Sequence, residues 1–303
     1  MESHLLEYIE IKEFKCFKNF KTEGFKRVNL IGGKNNVGKT AFMEACYINL
    51  EKTSTHALIE IVEGRYMSDF FTELVKEVGL KYILKSIDEK AVIYNGATIS
   101  SNIKNIKIDY KREDTIQYKR NENIFYMDSY RTSSNSLDSL YSLILEKKLE
   151  TEVDKALKLF DNDIDSFRII KSEPKCSLKS DGKFYNLNEL GDGVYRYITY
   201  LCLFYGMKKS TIFIDEIDNG IHYTQLDRLW EIVLTISKEQ NVQVFATTHS
   251  KECIESYARV SKKLKDEDIT YIKMSKQNDG SIHAGVRGYE ILENSIAQDH
   301  EVR

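Results

Sequence analysis

Hydrophobic and polar positions alternate with a period of two at the start of the chain. The alternation predicts short strands in YIEIKEFKCFKNF (8–20) and FKRVNLIGG (25–33), with a glycine-rich loop after the second. The next segment, AFMEACYINLEKT (41–53), has the spacing of a helix. The chain therefore opens with strands, a loop and a helix, in that order.

The middle of the chain changes its pattern twice. Residues 57–87 have helical spacing, residues 91–127 alternate as strands do, and residues 137–160 return to helical spacing. Residues 164–187 then predict a hairpin that closes on the turn Ser-Asp-Gly. We interpret residues 51–184 as an inserted lobe of helices and short strands.

Buried strands and amphipathic helices alternate in the last third of the chain. The predicted elements are a helix (197–207), a strand (211–218), a helix (226–240), a strand (242–250), a helix (251–264) and a strand pair (269–276 and 281–288). Strand–loop–helix at the start of the chain and strand–helix–strand near its end predict an α/β fold, with a sheet assembled from both halves. We assign residues 1–50 and 185–303 to this core.

Composition narrows the class of protein. The 303 residues are 42% hydrophobic and carry a net charge of −3, which suits a packed core and gives no overall basic surface for nucleic acid. No apolar run reaches the roughly 18 residues of a membrane span, and the N-terminus has no signal-peptide pattern. We expect a cytoplasmic protein with no membrane partner. The five cysteines form no CxxC pair, so we expect reduced, mostly buried thiols.

Lysine and phenylalanine interleave near the N-terminus, in KEFKCFKNFK (12–21). Such a patch could bind nucleic acid, but the alternation is more typical of a strand with one face in solvent. We therefore favour the structural interpretation.

A phosphate-binding loop follows the second predicted strand. Its residues fit the pattern G-x-x-x-x-G-K-[ST] and are Gly33, Lys34, Asn35, Asn36, Val37, Gly38, Lys39 and Thr40. Glycines let successive backbone N–H groups turn toward phosphate oxygens, and the helix that follows adds its positive N-terminal end. We expect Lys39 to contact the β- and γ-phosphates of ATP and the Thr40 hydroxyl to bind Mg²⁺.

Two acidic residues follow a strand that is apolar along its length. Asp215 and Glu216 come directly after TIFI (211–214), at the carboxyl end where open α/β sheets bind ligands. Asp215 suits a Mg²⁺ site, and Glu216 suits the general base that polarises the attacking water. Alone, the pair would be a solvated strand end; beside a phosphate loop, the catalytic interpretation is favoured.

A histidine ends the next predicted strand. VQVFATTHS (242–250) places His249 one strand–helix unit after Asp215. Most histidines are structural, but a histidine at this sheet edge can face the γ-phosphate and the water beside Glu216. We therefore expect His249 to have a catalytic role.

These motifs resemble those of the ATP-binding cassette (ABC) superfamily, in the branch of SMC-like, RecF-like and OLD-like ATPases. The resemblance rests on GKNNVGKT, IFIDEIDNGIH and TTHS, and it covers mainly residues 1–50 and 185–290. It implies a P-loop NTPase fold: an ABC-ATPase head with a mixed central sheet and an inserted α/β lobe. It also implies that residues 218–222 form the D-loop, which in the family runs along the dimer interface.

The segment LGDGVYR (190–196) holds the place of the family's signature motif. In the family, this motif contacts ATP held by the P-loop of a partner, so that two ATP molecules lie between two chains arranged head to tail. The resemblance thus assigns Gly191, Asp192 and Gly193 to ATP binding. Asp192 stands where the family usually has serine, and we expect it to cap a helix that begins at Val194. Arg196 has two open interpretations: a counter-charge to Asp192, or a surface residue or intrahelix pair.

Some family features have no clear counterpart. FYMDSYR (125–131) resembles the strand that ends near the nucleotide, but it offers Asp128, Ser129 and Arg131 where a glutamine is usual. The lobe is too short for the coiled-coil arms of SMC proteins. Too few residues follow His249 for the TOPRIM nuclease domain of OLD nucleases.

The resemblance implies a Mg²⁺-dependent ATPase that forms a homodimer or a higher even oligomer around ATP. Its compact OLD-like form resembles the ATPase component of bacterial anti-phage systems, which act with a separate effector such as a TOPRIM or HNH nuclease. The main alternative is a DNA-repair ATPase of the RecF type that binds duplex DNA. A transporter subunit and an ATP-gated scaffold with negligible turnover are further alternatives.

Overall fold

The structure is a computed structural model that describes residues 5–51, 93–109, 121, 123–129 and 134–292. The predicted helix at 57–87 and Arg131 lie outside the described residues. No helix in the described part of the chain is long and apolar enough to cross a membrane.

Thirteen strands are found among the described residues. They are β1 (Tyr8–Phe14), β2 (Phe17–Glu23), β3 (Val28–Gly32), β4 (Thr98–Ser101), β5 (Asn105–Lys107), β6 (Ile124–Met127), β7 (Ile164–Ile170), β8 (Glu173–Leu178), β9 (Phe184–Asn186), β10 (Thr211–Ile214), β11 (Gln243–Thr247), β12 (Ile269–Lys276) and β13 (Ile282–Gly288). The main helices of the same ranges are α1 (Lys39–Leu50), α2 (Ser134–Lys147), α3 (Glu150–Phe160), α4 (Asp192–Gly206), α5 (Leu226–Gln240) and α6 (Lys251–Leu264).

The central sheet has six strands in the order β13–β12–β3–β11–β10–β6. Five of them run parallel, and β13 pairs antiparallel with β12 at one edge. The prediction of an α/β fold with a mixed central sheet built from both halves of the chain is confirmed. Because β3, β10, β11 and β6 are parallel, their carboxyl ends lie along one edge of the sheet.

The central sheet separates two hydrophobic clusters. Ile212 and Ile214 of β10 face the cluster formed with α2 to α6, whereas Phe213 between them faces the cluster formed with α1, β1 and β2. Successive side chains of a strand point to opposite faces, so an apolar run such as TIFI fills both clusters at once. The rings of Phe213 and Phe245 stack with centroids 5.3 Å apart across β10 and β11.

The predicted inserted lobe contributes strands to the sheets of the predicted core. Within residues 51–184, β6 pairs with β10 in the central sheet, and β4 pairs with β1 in a second, four-stranded sheet of order β2–β1–β4–β5. Strand pairing joins segments that are distant in the chain. The local sequence pattern predicts where strands lie but does not indicate which strands pair with each other. The boundary at 184 stays a prediction.

The two predicted hairpins are confirmed. β8 pairs antiparallel with β9 around Gly182, which has a φ of +71°, and β7 pairs with β8 beside it. β12 and β13 pair along their length. On the β1–β2 hairpin, Phe14, Phe17 and Phe20 are buried and the intervening lysines are exposed, as a strand pair with one face in solvent requires.

A buried ion pair joins elements at the amino end of the sheet. Arg27, just before β3, donates to the Asp266 carboxylate and to the Ser237 hydroxyl, and its Nη1 lies 3.0 Å from the Leu234 carbonyl oxygen. Arg27 and Asp266 are each 5% exposed. This contact links β3, the end of α5 and the loop after α6.

Candidate functional site

The phosphate loop connects β3 to α1 at the carboxyl edge of the sheet. Gly33, Asn36 and Gly38 have φ angles of +147°, +61° and +88°, so the loop uses backbone conformations that residues with a side chain rarely adopt. A Cβ at Gly33 would lie 2.4 Å from the Met274 carbonyl oxygen, which leaves room for glycine alone. The buried side chain of Val37 packs into the α1 cluster. These contacts therefore hold the loop in place on the side that faces the protein interior.

The outer side of the loop is open. Lys34, Asn35 and Asn36 are exposed, and α1 begins directly after the loop, at Lys39. The positive end of α1 and the exposed backbone of the loop form the setting in which P-loops bind phosphate. The residues fit a nucleoside triphosphate.

Lys39 bonds to its own loop. Its Nζ donates to the carbonyl oxygens of Gly33 at 2.8 Å and Lys34 at 2.9 Å. Burial lowers the pKa of Lys39 below its usual value of 10.5, while the carboxylates of Asp215 and Glu216 act in the opposite direction. The amine thus lies across the loop. There, the oxygens of a bound phosphate would compete with the two carbonyl oxygens as acceptors of its hydrogen bonds.

Asp215 faces Thr40 at the junction of β10 and α1. The Thr40 hydroxyl donates to Oδ2 of Asp215 at 3.0 Å, and the Thr247 hydroxyl donates to Oδ1. Asp215 is 8% exposed. A hydroxyl and a carboxylate next to a phosphate loop are hard oxygen donors, the kind that Mg²⁺ prefers. The two residues predicted to bind metal are brought together, and their chemistry fits this ion.

Glu216 and His249 lie side by side at the open edge of the site. Oε1 of Glu216 is 3.8 Å from Nδ1 of His249, and the two side chains are 38% and 54% exposed. Glu216 has a φ of +51°, which is uncommon for a residue with a side chain. The backbone thus turns sharply after Asp215, so that one carboxylate is buried and the next is solvent-accessible.

The threonines before His249 organise the end of β11, and the sequence pattern did not single them out. Thr247 accepts a hydrogen bond from the Glu216 N–H at 2.8 Å. Thr248 donates to Oδ1 of Asp218 at 2.7 Å and accepts from the Ser250 N–H at 3.0 Å. The sequence did contain one signal for these threonines, because they are polar side chains at the end of a buried strand and a buried hydroxyl needs a hydrogen-bond partner.

The segment that resembles the signature motif packs against residues 218–222 of its own chain, the predicted D-loop. A Cβ at Gly193 would lie 3.0 Å from the Gly220 carbonyl oxygen, and a Cβ at Gly220 would lie 3.5 Å from that of Asp192. The expected capping role of Asp192 was wrong, because α4 begins at Asp192 and the residue in the capping position is Gly191, with a φ of +90°. Within the first turn, the Asp192 carboxylate still complements the helix dipole.

Arg196 is buried rather than on the surface, so the surface interpretation of this residue was wrong. It is 5% exposed, and its Nη2 donates to the Ser129 carbonyl oxygen. The Asn219 side chain donates to the same oxygen at 2.9 Å. Ser129 follows β6, so this carbonyl connects α4, the predicted D-loop and the strand that resembles the family's strand ending near the nucleotide. Arg196 lies one turn after the start of α4, and the sequence pattern alone did not distinguish between the interpretations of this residue.

Two sequence comparisons agree with this site. Residues 105–255 match the family model described as "AAA domain, putative AbiEii toxin, Type IV TA system". A Helicobacter pylori protein named "ATP/GTP phosphatase" is 25% identical, with 91% of this chain and 93% of that protein covered. The match to this relative extends well beyond the P-loop.

Solved structures show the same fold. An SMC head bound to the C-winged helix domain of ScpA has a TM-score of 0.56 at 12% identity and covers 94% of this chain and 98% of its own. The Pyrococcus furiosus SMC head with an extended coiled coil has a TM-score of 0.52 at 11% identity and covers 97% and 98%. A P-loop, strand-end carboxylates facing it and the fold of an SMC head occur together here, so the chain is similar to ABC-superfamily ATPases of the SMC/RecF type.

Proposed function

We propose that the protein binds ATP with Mg²⁺ in its P-loop, hydrolyses it, and dimerises head to tail around it. The observation that carries the proposal is the convergence of Lys39, Thr40, Asp215 and Glu216 on the carboxyl edge of the central sheet, from segments about 175 residues apart in the chain. Such a convergence matches the parts that phosphoryl transfer to water requires.

Each residue has a role that follows from its position. Thr40 and Asp215 would hold Mg²⁺, which when bound neutralises charge on the phosphates. Lys39 would exchange its loop carbonyls for phosphate oxygens. Glu216, exposed at the site, would accept a proton from the attacking water, and His249 beside it would donate a hydrogen bond to the γ-phosphate.

The signature segment would act on a second chain. Gly191, Asp192 and Gly193 lie at the positive end of α4, which suits contact with the γ-phosphate of an ATP bound to a partner. In the same chain, Gly220 of the D-loop lies close to Asp192 and Gly193, so signature and D-loop form one surface. This arrangement supports a homodimer or a higher even oligomer.

In the cell, the protein would serve as the sensor or regulatory ATPase of a bacterial anti-phage system, acting with a separate effector such as a TOPRIM or HNH nuclease. The family description names an AAA domain and a putative toxin of a toxin–antitoxin system. The alternative is a RecF/SMC-like ATPase that binds duplex DNA. We retain this alternative because the fold is similar to that of SMC heads.

The lysines of the β1–β2 hairpin bear on the DNA alternative. Of its four lysines, Lys15 is paired with Glu44 and Lys21 lies 3.1 Å from Glu10, whereas the other two, Lys12 and Lys18, are exposed. Paired lysines offer less net charge to phosphates, so we expect weak binding to duplex DNA with a shallow dependence on salt. A salt slope of several units, together with stimulation of ATP hydrolysis by DNA, would favour the RecF-like function instead.

Mixing two inactive variants tests the head-to-tail dimer. Lys39→Ala disables the P-loop and Gly193→Val disables the signature, so each variant alone should hydrolyse ATP poorly. A mixed dimer contains one site with an intact P-loop from one chain and an intact signature from the other. Hydrolysis should therefore reappear on mixing. A mixture as inactive as its components, although both fold and Gly193→Val binds ATP, would contradict the dimer.

A further inference from the structure

The hydroxyl of Thr247 lies between the two acidic residues of the site. Thr247 ends β11 and is completely buried. Its Oγ1 donates to Oδ1 of Asp215 and accepts the Glu216 N–H at 2.8 Å, while its backbone oxygen accepts the Ile217 N–H at 3.0 Å. One residue of β11 thus contacts three consecutive residues that follow β10.

Each bond constrains a different feature. The bond to Oδ1 orients the Asp215 carboxylate so that Oδ2 faces Thr40, at 3.0 Å. The bond from the Glu216 N–H holds the residue whose φ is +51° and whose side chain is directed to the open edge beside His249. A hydroxyl has one proton to donate and lone pairs to accept, so a single threonine can serve both acids at once.

We infer that Thr247 is a positioning residue that sets the metal-binding carboxylate and the general base relative to each other. The inference rests on the proposed ATPase function. Thr247 is completely buried, so it would act through Asp215 and Glu216 rather than by contact with a bound nucleotide. A change at its hydroxyl should therefore affect steps that need Mg²⁺ and leave phosphate binding by the loop itself in place.

The chain offers matched substitutions. Thr247→Val keeps the β-branched shape that a buried strand favours and removes both hydrogen bonds, whereas Thr247→Ser keeps the hydroxyl. Thr247→Ala is a second variant without the hydroxyl. Thr270→Val is the control, because Thr270 is also buried in a strand of the same sheet, and its hydroxyl bonds to the Gly24 carbonyl oxygen, away from the P-loop.

The test measures the affinity of a fluorescent ATP analogue with Mg²⁺ and with EDTA, and then ATP turnover. Thr247→Val and Thr247→Ala should lose about ten-fold or more of the affinity gained from Mg²⁺, since a hydrogen bond to a charged group is lost. Affinity in EDTA should stay within about three-fold. Thr247→Ser should recover most of the loss, and Thr270→Val should match wild type in both media.

Three results would overturn the inference. The first is wild-type Mg²⁺ dependence and turnover in folded Thr247→Val or Thr247→Ala. The second is a loss in Thr247→Ser as large as that in the hydroxyl-free variants, and the third is an equal loss of affinity with EDTA, since either would indicate a purely structural role. Failure of the proposed function itself has a different signature: the wild-type protein would neither gain affinity from Mg²⁺ nor hydrolyse ATP.

Discussion

Thr40 and Asp215 are joined by a hydrogen bond of 3.0 Å, although 175 positions separate them in the chain. The bond connects the first turn of α1 to the end of β10, the two elements that the proposed function needs beside each other. We expect Thr40→Val to reduce ATP turnover about 100-fold or more, because a metal ligand is lost at the centre of phosphoryl transfer.

Thr40→Ser is the matched control for this substitution. Serine keeps the hydroxyl, so turnover and Mg²⁺ dependence should stay close to wild type. Steady-state phosphate release over a range of Mg²⁺ concentrations measures both variants. Equal activity of Thr40→Val and wild type would remove Thr40 from the metal site.

The lowered pKa of Lys39 predicts how ATP affinity depends on pH. Burial disfavours the charged amine in the free protein, whereas bound phosphate favours it. ATP affinity should fall as pH rises through the lowered pKa, at a pH below the 10.5 of an ordinary lysine. Lys39→Arg keeps its charge throughout, so in this variant the decline should be absent. Fluorescence titration with an ATP analogue at increasing pH measures it.

The stability of the nucleotide-free protein should change in the opposite sense. Because the pKa of Lys39 is lower in the folded than in the unfolded state, the unfolded state binds the proton more readily. The penalty from the buried charge is fully present below the folded-state pKa and is relieved as pH rises toward 10.5. The free energy of unfolding of wild type relative to Lys39→Met should therefore increase over this window, as urea denaturation would measure. A difference that falls with pH would contradict the assignment.

The two signature glycines should respond differently to alanine. At Gly193 a Cβ would lie 3.0 Å from the Gly220 carbonyl oxygen, so Gly193→Ala should displace the D-loop and weaken ATP-driven dimerisation while ATP binding to the P-loop persists. Among the described residues, no atom beyond its chain neighbours lies within 4 Å of the Cβ position at Gly191, but its φ is +90°. Gly191→Ala should instead lower stability by about 1–2 kcal/mol. Sedimentation with ATP and thermal unfolding separate the two effects, and identical behaviour would contradict them.

The buried pair of Arg27 and Asp266 should contribute to the stability of the fold and not to the proposed ATP site. Asp266→Ala removes the buried carboxylate that pairs with Arg27 and leaves only that of Asp268, 3.6 Å from Nε, so it should destabilise the fold by up to about 3–5 kcal/mol. Arg259→Ala, which breaks the exposed pair with Asp227, should change stability by at most about 1 kcal/mol. Urea denaturation measures both. A small effect of Asp266→Ala would show that water or the Asp268 carboxylate compensates the charge of Arg27 at this site.

The parts of the fold that depend on local pattern were predictable. The motif from Gly33 to Thr40 needs a strand before it and a helix after it, and both are present. The bounds of α5 and α6 agree with the predicted helices at 226–240 and 251–264 because their apolar spacing is regular and because Asn241 and Ser250 mark one end of each.

The parts that depend on long-range contacts were not predictable. The pairing of β6 with β10 joins segments about 87 residues apart, and nothing in FYMD indicates its neighbour. The burial of Arg196 depends on Ser129 and Gly220, which approach it only in the folded chain. Thr247 was similarly hidden, since its two hydrogen bonds are made to residues more than 30 positions away.

ATP turnover by wild type and by Glu216→Gln tests the central claim most directly. Glutamine matches glutamate in shape but cannot accept the proton of the attacking water. Wild type should hydrolyse ATP with Mg²⁺, and Glu216→Gln should bind ATP with similar affinity, turn it over about 100-fold more slowly and accumulate as an ATP-bound dimer. Wild-type turnover in Glu216→Gln, or no turnover in the wild type, would contradict the account.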